Sequence, residues 1–318
     1  MIEVINLTKR YGPTVAVDNV SFDAKAGEVL GFLGPNGAGK TTTMRILTCY
    51  LSPDEGTAKV AGYDVFEQSV EVRKQIGYLP ESAPLYTDMG VIDYLKFIAQ
   101  IRDIPKSQRS QRIKDVVDIC GLEKMIQKDV GELSKGYRQR LGLAQSLIHD
   151  PPILVLDEPT SGLDPNQIIE IRNLIREIGK EKMIIFSTHI LPEVSATCSR
   201  ILIINDGQIV ANGTPDELAG RARGEGVVHI SIRGPREEIE AKLEELSLVS
   251  DFKRVKSDDD ACSYQIISQN GKNTAEELFH FVVQNRWSLT ELRQEAVSLE
   301  DVFRQLTGNE SATQPTTS

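Results

Sequence analysis

The sequence predicts an α/β core followed by a smaller α+β unit. Three observations carry this expectation. The short apolar strand EVLGFL runs into a glycine loop and then a helical pattern, GPNGAGKTTTMRILTCYL. Two buried-type apolar runs, ILVLDE and MIIFST, bracket an amphipathic helix, IIEIRNLIREIGK, as strands of a parallel sheet do. Past GTPDELAGRARGEG, where glycine and charge replace the apolar periodicity, strands and helices alternate afresh.

In chain order, residues 1–30 alternate as two strands, IEVINL and AVDNVSFDA, separated by the turn-rich YGPT. After EVLGFL and its loop, SPDEG makes a turn and TAKVAGYDV another strand and turn. From about Asp88 to Gly131 the pattern is mostly helical. Ile92, Leu95, Ile98 and Ala99 share one face, and Ile113, Val116, Val117 and Cys120 another. This helical insert, 88–131, lies between two β-rich portions. In LSKGYRQR, residues 133–140, Ser134 and Gly136 suggest a helix start with bare backbone and a capping serine. ILIINDGQIVANG reads as a hairpin over Asn205-Asp206-Gly207.

The core therefore spans 1–220. The next segment, 221–308, runs VVHISIRG, a helix (REEIEAKLEEL), two strands (DFKRVKS, CSYQIIS), a helix (AEELFHFVVQNRW) and SLTELRQEAVSLEDVFRQLTG. That order suggests a small α+β unit of roughly 85 residues, ferredoxin-like in its arrangement. The polar ending NESATQPTTS, 309–318, reads as a disordered tail.

Composition narrows the function. At 40% hydrophobic and 26% charged, the 318 residues suit an ordinary folded soluble protein. A net charge of −10 argues against a general nucleic-acid binder, which shows a basic face. Four scattered cysteines without a CxxC read as reduced core thiols. The start MIEVINLTKRYG lacks the apolar core of a signal peptide, and no run approaches about 18 apolar residues. Any membrane role must come through a partner.

The chemistry concentrates in one loop. Gly34-Pro35-Asn36-Gly37-Ala38-Gly39-Lys40-Thr41, followed by Thr42, fits GxxxxGK[ST] with a strand before and a helix after. Glycines let successive N–H groups face phosphate oxygens, and the helix adds its positive N-terminal end. Lys40 supplies a point charge for the β and γ phosphates, and the Thr41 hydroxyl a ligand for Mg²⁺. Asp157 ends the strand Ile153 to Leu156 and so emerges at the carboxyl edge of a parallel sheet, able to hold Mg²⁺ directly or through water. Glu158, next to it, can orient or deprotonate an attacking water. His189 follows MIIFST to the same edge, placed to sense a γ-phosphate.

The motifs GPNGAGKTT, YLPE, LSKGYRQR, ILVLDEPTSGLDP and FSTH, in that order, closely resemble the ATP-binding subunit of ABC transporters over residues 1 to about 220. The resemblance implies a P-loop ATPase core with a mixed sheet, an antiparallel β-subdomain and a helical insert that meets the membrane partner. It implies that Tyr11 stacks on adenine, and that Ser134 and Gly136 contact the γ-phosphate bound to a second ATPase subunit, itself or a relative. Ser161 to Asp164 resemble the loop linking two such sites, and YLPESAPLY would relay nucleotide state. The family's usual glutamine after YLP is Glu81 here. A carboxylate can still bind Mg²⁺ or water but adds negative charge. The usual LSGGQ is LSKGY, so Lys135 either adds charge near the γ-phosphate or is solvated. The ending SLEDVFRQLTG after a small appendix resembles ATPases of ABC-2 type exporters, with ILTCYLSPDEG and YLPESAPLY similar to the gliding-motility-type branch. The expected chain is thus an Mg²⁺-dependent ATPase on the cytoplasmic side of the cell membrane, attached through a separate permease and binding no nucleic acid. A soluble ABC ATPase acting on nucleic acid or ribosomes is the alternative.

Overall fold

In the computed structural model, which describes residues 1–221, 226–258, 261–268, 274–295, 303–304 and 306–308, the chain divides into two units, Met1–Pro215 and Asp216–Ser318. The tail 309–318 lies outside the described residues, as do residues 298–302 and 305 of the SLEDVFRQLTG ending.

The first unit opens with the expected hairpin. β1 (Ile2–Tyr11) and β2 (Thr14–Ala24) pair antiparallel, with Ile2 opposite Ala24 and Tyr11 opposite Thr14. β3 (Val29–Leu33), buried at every position, feeds the glycine loop and α1 (Lys40–Leu47). A second hairpin, β4 (Glu55–Val60) and β5 (Tyr63–Asp64), completes a small antiparallel sheet ordered β2-β1-β4-β5. α2 (Ser69–Gln75) and the four-residue β6 (Ile76–Leu79) come next. Then come α3 (Val91–Ile101) and α4 (Lys106–Cys120) of the insert, and α5 (Lys135–Leu147). β7 (Ile153–Asp157), α6 (Pro165–Gly179), β8 (Met183–Thr188), α7 (Leu191–Thr197), β9 (Arg200–Asn205) and β10 (Gln208–Gly213) complete the unit.

The central sheet is ordered β10-β9-β3-β8-β7-β6. β9 through β6 run parallel, and β10 pairs antiparallel with β9, which makes the sheet mixed as the sequence predicts. β3, β7 and β8 carry no exposed residue, the continuous apolar run that a sheet covered on both faces requires. The β9–β10 turn is a two-residue loop in which Asp206 (φ 47°) and Gly207 (φ 77°) both adopt positive φ, the geometry that Asp-Gly tolerates best. One core joins the two sheets of this unit through Val4, Val20, Phe22, Phe32, Met44 and Ile46, with the Phe22 and Phe32 rings 5.2 Å apart.

Two local readings change. The buried face of α3 is Val91, Tyr94, Leu95 and Ala99, whereas Ile92 and Ile98 are only half-buried. Tyr94 displaces them because its ring goes inside while its hydroxyl hydrogen-bonds the Gln145 amide, so an aromatic with a polar tip takes the place expected of isoleucine. The α4 face is the expected one: Ile113, Val116, Val117 and Cys120 are all buried. The second change is that α2, β6 and α7 exist at all. They are short, polar or irregular in pattern, and tertiary pairing rather than periodicity makes them. β6 in particular survives at four residues because Gly77 lets α5 approach closely: a Cβ there would strike the Ser146 carbonyl. Cys49, Cys120, Cys198 and Cys262 are free, and burial pushes the Cys49 thiol up to about 11 and Cys120 up to about 12.

The second unit contains α8 (Pro215–Arg221), β11 (Gly226–Arg233), α9 (Arg236–Glu244), β12 (Val249–Asp258), β13 (Ala261–Ser268), α10 (Thr274–Gln284) and β14 (Ser288–Glu295). The strands form one antiparallel sheet ordered β12-β13-β11-β14. From β11 onward this is the split βαββαβ arrangement. Ile230, Ile232, Tyr264 and Ile266 of the sheet bury against Leu243, Leu278 and Val282 of the two helices, and Trp287 packs edge-on to Phe281 at 5.6 Å.

Candidate nucleotide site

Four parallel strands deliver chemistry to one sheet edge. β3 ends in the glycine loop, β7 in Asp157 and Glu158, and β8 in Thr188 and His189. β6 leads through Pro80 to Glu81. Loops after parallel strands are where α/β proteins bind ligands.

The loop itself is held open by Gly39, at φ 102° and ψ 0° just before α1. An L side chain is strained there, and a Cβ would strike the Ala16 carbonyl of β2. Lys40 is 5% exposed. Its Nζ donates to the carbonyls of Gly34 (2.7 Å) and Pro35 (3.0 Å) and lies 3.4 Å from Glu158 Oε1. The ammonium thus meets three oxygens, two backbone carbonyls and one carboxylate.

Thr41 Oγ1 donates to Asp157 Oδ1 at 3.2 Å, beneath the loop. Asp157 is 1% exposed. The same Oδ1 accepts from Ser187 Oγ at 2.6 Å, and Ser187 Oγ accepts in turn from the Glu158 N–H at 3.0 Å. Glu158 carries a left-handed backbone, φ 47°, which costs a residue with a side chain about 1–2 kcal/mol. Its N–H reaches both the hydroxyl and the carbonyl (3.2 Å) of Ser187, which hold the unusual turn in place. His189 Nδ1 lies 3.0 Å from Glu158 Oε2, the ring N–H donating to the carboxylate. Tyr78, on β6, has its phenol pushed up to about 12 by burial, with the Asp157 carboxylate adding to the effect, so it stays protonated.

Lys40, Thr41, Glu158 and His189 line a cleft of about 400 Å³, and Asp157 stays outside that lining, joined to it through Thr41. Asn36, Gly37, Gly39, Lys40, Thr41 and Thr42 line it from the loop and the start of α1, together with Glu81, Glu158, Ser161 and His189. Gly34 and Pro35 serve through their carbonyls, and Ala38 is buried behind the loop. The remaining candidates stand outside this lining. Tyr11 is exposed at the β1–β2 turn. Asp164 caps α6, accepting from the Gln167 N–H at 3.0 Å. Ser134 caps α5, accepting from the Tyr137 N–H at 3.4 Å, and Gly136 sits against the Gln167 side chain. The ammonium of Lys135 lies against Gly162, in the loop that precedes Asp164.

Sequence reasoning missed Ser187. The signal was available: it is the first polar residue after four apolar ones in MIIFST, and its register partner across the sheet is Asp157. As to a metal, no three His, Cys, Asp or Glu side chains converge on a cage among the described residues. The donors present are hard oxygens, the Thr41 hydroxyl and the Asp157 carboxylate 3.2 Å apart, with Glu81 on the cleft wall. That set fits Mg²⁺, which is commonly held by one or two carboxylates together with substrate phosphates.

A sequence model described as ABC transporter matches residues 17–161. An uncharacterized ABC transporter ATP-binding protein of Bacillus subtilis, YxlF, is 34% identical over 303 residues, 95% of this chain and 98% of its own length. The bacitracin transport ATP-binding protein BcrA of Bacillus licheniformis is 34% identical, with 97% of each chain covered. Among solved structures, an ATP-binding subunit of an ABC transporter superposes with a TM-score of 0.64 at 26% identity, covering 77% of this chain and 99% of that one.

Proposed function

The chain belongs to the ATP-binding subunits of ABC transporters, and from that premise we propose how its own residues bind and hydrolyse ATP and what it drives. The observation that carries the reading is the convergence of Lys40, Thr41, Asp157, Glu158 and His189 on one cleft edge. Lys40 and the loop N–H groups take the β and γ phosphates. Thr41 and Asp157, with Glu81 at the rim, hold Mg²⁺, which neutralises phosphate charge. Glu158 orients the attacking water and accepts its proton, and His189 contacts the γ-phosphoryl. Lys40 and His189 both face the Glu158 carboxylate, at 3.4 and 3.0 Å, which holds it at the phosphate end of the cleft.

Ser134 and Gly136 contribute to the site of a second ATPase subunit, and Asp164 belongs to the loop between the sites. Ser134 and Asp164 are exposed caps outside the cleft, which leaves them open to a role across a dimer, and Gly136 lies buried in the first turn of the helix that Ser134 caps. Tyr11 stacks on adenine. The β2 carbonyl of Ala16 lies against Gly39, which brings that hairpin beside the loop. Transport runs through a separate permease, with the chain at the cytoplasmic membrane face, as its membership of the ATP-binding subunits favours; no helix among the described residues is long and apolar enough to cross a membrane. Export is the direction favoured. Relatives matched over nearly their full length are named for bacitracin transport, linearmycin resistance and Nod factor export. An ABC-2 type, gliding-motility-like branch agrees with the C-terminal unit, to which we assign dimer stabilisation or control of hydrolysis.

Purification of the tagged chain from native membranes in mild detergent tests this. A multi-spanning permease in near-equal amount is expected. Recovery from the soluble fraction alone, with nucleic acid bound, would contradict it.

Ser187 gives a finer test. Ser187→Ala removes the donor to Asp157 and one of the two acceptors holding the strained Glu158 turn. The expected result is a kcat about tenfold lower with ATP affinity little changed. Phosphate release and nucleotide titration separate the two effects.

A further inference from the structure

One carboxylate in the first unit is buried and takes no part in the cleft. Glu193, in the first turn of α7, is 2% exposed. Its Oε2 accepts from two hydroxyls, Thr160 Oγ1 and Thr188 Oγ1, each at 2.8 Å. Its Oε1 has no hydrogen-bond partner among the described residues, nor has Thr197 Oγ1 one turn further along. A carboxylate in such surroundings costs stability, and an apolar residue would fill the space at less cost. Its presence calls for a role other than packing.

The two threonines identify that role. Thr160 lies two residues after Glu158 and directly before Ser161, which lines the cleft and whose N–H donates to the Glu158 carbonyl at 3.1 Å. Thr188 directly precedes His189. Its hydroxyl also accepts from the Ile190 N–H at 3.1 Å, and its carbonyl accepts from the Gly34 N–H of the phosphate loop at 3.3 Å. A single oxygen therefore ties the segment carrying Glu158 to the segment carrying His189. The helix that bears it is fixed to the sheet, because glycine at position 31 of β3 leaves room for Val194 and Cys198 to press onto the strand.

We propose that Glu193 is a positioning residue for phosphoryl transfer, bracing the Thr160 and Thr188 loops so that Glu158 and His189 keep one mutual geometry around the γ-phosphate. It touches neither substrate nor metal and acts through the two hydroxyls. The inference rests on the ATPase reading of the cleft.

The test uses the full chain and compares steady-state kcat and KM for ATP across Glu193→Ala, Thr160→Val, Thr188→Val and the matching Thr160→Ser and Thr188→Ser. A misplaced catalytic group costs rate more than binding. The brace therefore predicts that Glu193→Ala lowers kcat roughly ten- to hundredfold with KM changed by less than about threefold. Each valine variant lowers kcat in the same way, and each serine variant, which keeps the hydroxyl, restores it. Should Glu193→Ala fail to fold, the valine and serine pairs decide alone. Wild-type kcat in the valine variants, or serine variants as impaired as valine, would overturn the brace while leaving the ATPase reading intact. A wild-type chain that hydrolyses no ATP would overturn both.

Discussion

Lys40→Ala is expected to abolish measurable ATP hydrolysis and to weaken ATP binding at least about tenfold. The side chain is the cation at the mouth of the glycine loop, held by the Gly34 and Pro35 carbonyls and facing Glu158. Alanine leaves the loop amides and helix end to bind phosphate, but removes the charge that follows the γ-phosphoryl into its transition state. Losing one such preorganised contact costs about a hundred- to a thousandfold in rate. It also leaves Glu158, 8% exposed in its side chain, without the cation that faces it, the His189 ring remaining as a hydrogen-bond partner. Removing one member of a buried pair is destabilising. A thermal melt without nucleotide separates that effect from the catalytic one, and a nucleotide titration beside a phosphate-release assay checks both. Turnover near wild type in a folded variant would remove Lys40 from the reaction.

Whether a residue was legible in the sequence depends on how local its requirements are. The glycine loop was readable because it asks only for positive φ at Gly39, a cation next and a hydroxyl after that. Asp157 and His189 were readable because a parallel strand must end at the carboxyl edge, so a polar residue closing an apolar run has one place to go. Glu81 was placed by resemblance alone, since β6 is too short for its period to register. Ser187 and Glu193 were not found. Each acts through a partner about 30 residues away in the chain, Asp157 and Thr160 respectively, and no local pattern encodes such a pairing. The face of α3 was misread for a related reason, since Tyr94 is buried by virtue of a hydroxyl partner, Gln145, in another helix. The hairpin at Asp206-Gly207 and the strand–helix alternation of the second unit were visible because turn chemistry and period are properties of the segment itself.

Glu158→Gln is the other substitution with a large expected effect, and it separates binding from chemistry. Glutamine keeps the shape and one oxygen able to accept from Lys40, so ATP affinity should stay within a few-fold of wild type. It cannot accept a proton from water, and loss of a general base costs roughly a hundred- to ten-thousandfold. The left-handed backbone at this position, braced by Ser187, is common to both side chains, so the variant should fold as the parent does. ATP should therefore remain intact in a site that is complete in every respect but the base.

That trapped state addresses the central claim, that each site is finished by Ser134 and Gly136 of a second chain. The decisive measurement is the mass in solution of the Glu158→Gln protein with ATP and Mg²⁺, beside the same protein with ADP. The chain weighs 35.2 kDa. A species of two chains with ATP and of one chain with ADP is the predicted result. A protein that binds ATP with full affinity yet stays a single chain across the accessible concentration range would contradict it.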